Sequence, residues 1–235
     1  MKKFLKAFYK LFLVVFAILV GIIISYLSVG YSMYKDALKE TPINEMVAKI
    51  QSKDNYTELS EIPDIYKNAV IAVEDHRFYE HLGVDYIATF SALMYDISNG
   101  AFKQGGSTIT QQLCKNVYFT QERKLSRKIA EVFMAAEMER ECEKDEILEL
   151  YINSCFYGNG CYTLKEASNL YYEKEPADLT DYEATLIAGV PNAPSLYNPI
   201  YSMDLATQRQ KQVLYAMVKY GYLTSEQRDS ILENK

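Results

Sequence analysis

Glu122-Arg123-Lys124-Leu125-Ser126-Arg127-Lys128-Ile129-Ala130-Glu131-Val132-Phe133-Met134-Ala135-Ala136-Glu137-Met138-Glu139-Arg140-Glu141 repeats its apolar residues at helical spacing. Ile129, Val132, Phe133 and Ala136 recur every three or four residues, which places them on one helical face and predicts a helix from about Glu122 to Glu141. The same period continues on both sides. Ile147, Leu148 and Tyr151 form the apolar side of a following helix, for which Asp145 is a candidate cap. Ala184, Leu186, Ile187 and Ala188 belong to a third, stopped by Pro191. Leu214, Met217 and Val218 mark a C-terminal one. Alternating strand patterns are scarce. Ala69 to Val73 reads either way because of its β-branched residues. The expected fold is mainly α.

The chain has 235 residues, 49% of them hydrophobic, and no repeat or low-complexity tract, enough for one membrane anchor and one compact domain. Lys2, Lys3, Lys6 and Lys10 precede Leu11 to Tyr34, a run without a charged residue. About 20 apolar residues span a bilayer. The run exceeds the roughly 7–15 residues of a signal-peptide core, and no A-x-A site follows it. It reads as an uncleaved anchor with its basic tail in the cytoplasm. The expected layout is therefore a tail over 1–10, a transmembrane helix over 11–31 and a juxtamembrane linker over 32–60, with turns at Thr41-Pro42 and Lys53-Asp54-Asn55. A globular domain over 61–235 follows, on the outer face of the membrane.

Four of the 25 basic residues lie in the tail, which leaves 21 against 31 acidic residues outside, a net charge of −10. Such a domain lacks the basic footprint of a nucleic-acid binder. An anionic ligand would need cations gathered locally. Cys114, Cys142, Cys155 and Cys161 form no C-x-x-C pair, so a zinc site is not indicated; Cys155 and Cys161 are either a short-loop disulfide or reduced thiols. Tyr86 to Phe102, rich in aromatic and aliphatic residues, is either core or a surface that dips into the membrane.

Three segments carry chemistry. Glu74-Asp75-His76-Arg77-Phe78-Tyr79-Glu80-His81-Leu82-Gly83 sets two carboxylates directly after an apolar run. A carboxylate at the lip of a core is partly desolvated, which suits general-base work, although an exposed helix end reads the same way. Glu74, His76 and His81 match no common metal spacing. Gln104-Gly105-Gly106-Ser107-Thr108-Ile109-Thr110-Gln111-Gln112-Leu113-Cys114-Lys115-Asn116 contains a capping box, Thr108 with Gln111. The helix start it implies favours an anion, with Lys115 one turn on. Arg123, Arg127 and Glu131 are spaced by four on one face, within the densest basic cluster of an acidic domain. Two further segments, Lys144 to Asn153 and Ala188 to Ser195, read as an amphipathic helix and a helix exit into a Pro-stiffened loop.

In order, these segments contain E-D-x-x-F-x-x-H-x-G, G-G-S-T-I-T-Q-Q, R-K-x-x-E and K-x-x-I-L-x-x-Y-x-N. From about Ile62 to Pro199 the chain resembles the bacterial peptidoglycan glycosyltransferases, glycosyltransferase family 51. With no S-x-x-K or K-T-G downstream, it resembles the monofunctional form. The resemblance implies a mainly α, lysozyme-like head lobe with a smaller membrane-touching jaw. It also implies polymerisation of lipid II into β-1,4 glycan by an inverting transfer that releases undecaprenyl pyrophosphate. Glu74 matches the family's base, and Glu131 its second essential glutamate, on the donor side. Lys115, Arg123 and Lys128 match the positions that hold the pyrophosphate. Ser107, Gln111 and Gln112 match the polar lining of the cleft. Asp75, Arg77, Phe78 and His81 match the support around the base. By analogy a divalent cation, Mg2+ or Mn2+, accompanies the pyrophosphate, although the sequence shows no dedicated metal site. The implied partners are lipid II, the growing glycan strand, the membrane and neighbouring transpeptidases.

One departure is local: where the family usually keeps a second glycine after Asn153, this chain has Thr163. Two rival readings remain. A hydrolase of finished glycan would have no pyrophosphate for the cations near Glu131. A non-catalytic scaffold would have no need of both glutamates.

Overall fold

The computed structural model describes residues 2–99, 106–119 and 124–234. Among them the fold is helical, with no strand beyond an isolated bridge between Gly158 and Cys161. The helices are α1 (Lys2–Glu40), α2 (Ile43–Gln51), α3 (Asp64–Glu74), α4 (Tyr86–Asn99), α5 (Ile109–Tyr118) and α6 (Leu125–Glu141). They are followed by α7 (Lys144–Ile152), α8 (Leu164–Tyr172), α9 (Asp181–Gly189), α10 (Met203–Lys219) and α11 (Ser225–Glu233).

The ambiguous run Ala69 to Val73 lies inside α3. Tyr66, Ala69 and Val70 recur at helical spacing and are buried, so the period outweighs β-branching. The helix stops at Glu74 because Asp75 turns to an extended φ of −160°. α9 buries every residue from Tyr182 to Gly189 except Glu183 and packs against α3 and α10 at the centre of the core. A helix apolar on nearly all sides belongs in such a position. The expected stop is present as a 3-10 turn, Val190–Asn192, that contains Pro191. α8 buries Leu164, Ala167 and Ser168, whereas α11 buries only Ile231.

Ile129, Val132, Phe133 and Ala136 do share one face of α6, but the buried stripe is Ala130, Glu131, Met134, Ala135 and Met138. The face with Phe133 receives α1: Phe133 lies 5.3 Å from the ring of Tyr31 and 5.9 Å from that of Tyr34. Asp145 does not cap α7, whose cap position is Glu143, without a side-chain bond; Asp145 instead accepts the Tyr79 hydroxyl at 2.8 Å. Within the expected juxtamembrane linker, 32–60, Tyr34, Ile43, Met46 and Ile50 are buried in the core.

α1 is long and apolar enough to cross a membrane once, and its apolar side chains from Phe4 to Val29 are exposed. α4 turns Tyr86, Ile87, Phe90, Met94 and Tyr95 outward, so these residues are not core; the end of the expected apolar segment, 100–102, lies outside the described residues. Thr163 replaces the usual glycine without a void. It is fully buried and caps α8 in a reciprocal box with Glu166.

Candidate active site

The site is assembled where the end of α3 meets the start of α5. Thr108 accepts the amide of Gln111, and the Gln111 side chain accepts the amide of Thr108, so the expected capping box forms. The first amide of α5, Ile109 N–H, donates to Asp75 Oδ2 at 3.0 Å. Asp75 is buried and also meets His81 Nε2 at 3.0 Å. Thr108 Oγ1 donates to the carbonyl of Gly83 at 2.6 Å. Gly83 sits at φ +77°, and a Cβ there would lie 2.9 Å from the Ala135 carbonyl, so this turn against α6 requires glycine.

Glu74, the last residue of α3, has a side chain 10% exposed. Gln112 Nε2 donates to its Oε2 at 2.8 Å, and Gln112 Oε1 accepts the Tyr151 hydroxyl at 3.3 Å. Around it, Arg77 makes a forked pair with Asp85, Nε to Oδ2 at 2.9 Å and Nη2 to Oδ1 at 2.7 Å. Burial pushes the Asp85 pKa up, but the Ala88 amide and the Arg77 guanidinium outweigh it, and the net shift is below the ordinary value. Phe78 is fully buried under the Lys144 ammonium, 4.4 Å from its ring centroid. His76 stacks on Tyr220 at 3.9 Å.

Glu131 is 1% exposed on α6. One oxygen accepts from Arg127, and the other from Lys128 Nζ at 3.0 Å. Lys128 Nζ also donates to Ser107 Oγ at 2.6 Å. A cavity of about 240 Å³ opens here, lined by Ser107, Gln111, Gln112, Lys115, Arg127, Lys128 and Glu131. A second, of about 500 Å³, is lined by Glu74, Asp75, His76, Arg77, Ser107 and, from α10, Tyr215, Lys219 and Tyr220 among others. Ser107 borders both. Lys115 has no carboxylate within ion-pair distance among the described residues. Arg123 lies outside the described residues.

The family model described as Transglycosylase matches residues 39–218, most of the chain. The chain belongs to the transglycosylase family. Penicillin-binding protein 1A of Neisseria lactamica is 40% identical over 185 residues, 79% of this chain and 23% of that protein. The protein of the same name from Escherichia coli is 47% identical over 171 residues, 73% of this chain and 20% of its own. The matched stretch is thus under a quarter of those relatives' length. A crystal structure of Penicillin-Binding Protein 1A from Haemophilus influenzae aligns over 76% of this chain and 17% of its own, at TM-score 0.46 and 24% identity.

Within the transglycosylase domain the sequence-derived residues fall into two groups. Glu74, Asp75, Arg77, Phe78 and His81 gather at the α3 exit, while Lys115, Lys128, Glu131 and Ser107 gather at the smaller cavity. The Gln111 side chain is committed to the capping box, although it still borders the cavity. Reading the sequence missed Arg209 of α10, whose Nη2 stands 3.4 Å from Glu74 Oε1. It also missed Asp85. Neither belongs to a spaced cluster.

Among the described residues neither carboxylate set stands free for a divalent cation. Both Glu131 oxygens already hold cations, and the rest of that cavity is amide, hydroxyl and ammonium, whereas Mg2+ prefers free carboxylate or phosphate oxygens. Ligand atoms of Asp75, His81 and Asp85 do lie within 4.8 Å of one another. There, however, Asp85 holds Arg77 and Asp75 holds the Ile109 amide, so an arriving cation would meet a guanidinium.

Proposed function

We propose that this chain is a membrane-anchored peptidoglycan glycosyltransferase. It extends β-1,4 glycan from lipid II and releases undecaprenyl pyrophosphate. The observation that carries the reading is the segment Ser107–Gln112. Its first residue receives Lys128 of the Glu131 cluster, and its last donates to Glu74, so one helix start holds the base and the cations in fixed relation.

In this reading Glu74 takes the proton of the acceptor 4-hydroxyl as its oxygen forms a bond to the donor anomeric carbon. The bond to the pyrophosphate breaks on the opposite face, which turns an α donor into a β product. Lys115 and Lys128, beside Arg127, receive the charge that develops on the departing pyrophosphate, a preorganised electrostatic contribution. Glu131 keeps Arg127 and Lys128 aimed despite their mutual repulsion.

The basic tail supports an N-terminus inside and a domain outside. The outward apolar face of α4 then meets the membrane surface from which a lipid-linked substrate arrives. Transpeptidases that cross-link the product are the natural neighbours.

The test is to incubate the detergent-solubilised chain with labelled lipid II and resolve products by size, with Glu74→Gln alongside. Polymer from the unaltered chain alone supports the reaction and the base. Polymer from both removes Glu74 from that role. Binding without polymer in the unaltered chain points to a scaffold, and fragments released from purified cell wall point to a hydrolase.

A further inference from the structure

We infer that Arg209, seated across Gly189, is a positioning residue that holds Glu74 aimed for proton abstraction. The inference rests on the glycosyltransferase reading, and it adds a residue from outside all the segments that carry the resemblance.

Arg209 and Glu74 have side chains 11% and 10% exposed, so solvent screens their 3.4 Å contact less than it would at the surface. The guanidinium is fixed on its other edges. Nε donates to the Gly189 carbonyl at 3.4 Å, Nη1 donates to Gln212 Oε1 at 3.0 Å, and the group lies 5.8 Å from the Tyr197 ring centroid. A Cβ on Gly189 would lie 2.9 Å from Arg209 Cγ, near the root of the side chain, where it cannot swing aside. The glycine that closes α9 thus leaves room for the arginine stem. The helix exit before Pro191, without chemistry of its own in the sequence, acquires a role in setting the base.

Among the described residues Arg209 has no rival for that role. Gln112 of α5 contacts Glu74, and Tyr66 of α3 itself, Tyr151 of α7 and Cys155 after it lie near enough to feel its charge. Burial pushes the Tyr66 and Tyr151 hydroxyls well above their ordinary range and the Cys155 thiol up to about 12, so all three are neutral at working pH. Lys115, the nearby ammonium that bears on Cys155, faces the other cavity. Arg209 is the full positive charge in contact with Glu74 among the described residues. It leaves the other carboxylate oxygen to Gln112, so the two partners together fix the direction of the carboxylate.

The experiment measures kcat and KM separately for lipid II polymerisation by the full chain in detergent, with Arg209→Gln, Arg209→Lys and Gly189→Ala. Circular dichroism melts run alongside to confirm folding. Arg209→Gln should lower kcat about tenfold to a hundredfold with little change in KM. Arg209→Lys should restore part of kcat, and Gly189→Ala should behave as a weaker Arg209→Gln. A folded Arg209→Gln with unchanged kcat, or a loss that falls on KM alone or is equal in the Gln and Lys variants, overturns the inference and leaves the glycosyltransferase reading standing. Absence of polymer from the unaltered chain removes the reading itself.

Discussion

The Asp75 carboxylate accepts the backbone amide of Ile109 at 3.0 Å, so the residue that follows Glu74 also anchors the first turn of α5. The same carboxylate meets His81, and it is 6% exposed. Removing it leaves an orphan amide and an unpaired imidazole in the interior. Asp75→Ala should cost about 2–4 kcal/mol of stability. Denaturant unfolding measures this directly, and a loss below 0.5 kcal/mol would show that water replaces the carboxylate at no cost, about the noise of a surface substitution. Asp75→Asn retains an acceptor for Ile109 and should lose less.

The Glu131 cluster makes a different demand. Glu131→Gln leaves Arg127 and Lys128 side by side with one charge fewer between them, and the cations should no longer sit where the pyrophosphate departs. The initial polymerisation rate should fall about a hundredfold. Lys115→Ala removes a cation with no carboxylate partner among the described residues and should lower kcat/KM about tenfold, with the melting temperature unchanged. An unchanged rate in Lys115→Ala would place the leaving group elsewhere.

Gly30 and Gly21 lie on the same helix and should respond with opposite sign. A Cβ at Gly30 would fall 2.5 Å from Ile129 Cγ2 and 2.9 Å from the Ser126 carbonyl, whereas Gly21 has nothing within 4 Å. Gly30→Ala should therefore push α1 off α6 and cost about 1–3 kcal/mol. Gly21→Ala should be neutral or mildly stabilising through helix propensity. Melting of the two variants in detergent compares them. Since α6 carries Arg127, Lys128 and Glu131, the Gly30 variant should also lose turnover.

The pair of Arg77 with Asp85 makes stability depend on pH in a predictable direction. The folded pKa of Asp85 lies below its unfolded value, which is about 3.9 for a free aspartate. Its contribution is present in full above that value and is lost as pH falls through the lower folded one. Asp85→Asn should lower the melting temperature at pH 7, and the curves of variant and parent should converge on the acid side. Parallel curves down to pH 2 would mean that the pair adds nothing.

What the sequence determined by itself is what neighbouring residues decide among themselves. Helical class follows from apolar spacing along a single segment, the membrane-length helix from an uncharged run, and the start of α5 from Thr108 and Gln111 three residues apart. The contact of Glu131 with Arg127 and Lys128 was legible for the same reason, since all three sit inside one short segment of fixed spacing. The stripe of α6 that faces the core was not, because two apolar stripes compete and only the arrival of α1 at Phe133 settles which one it covers. Nor was Arg209, which meets Glu74 across 135 positions of chain. That ion pair exists only because α3, α9 and α10 pack together and Gly189 leaves room at their junction. Contacts within a turn leave a spacing that can be read, whereas a contact made by packing distant helices leaves none.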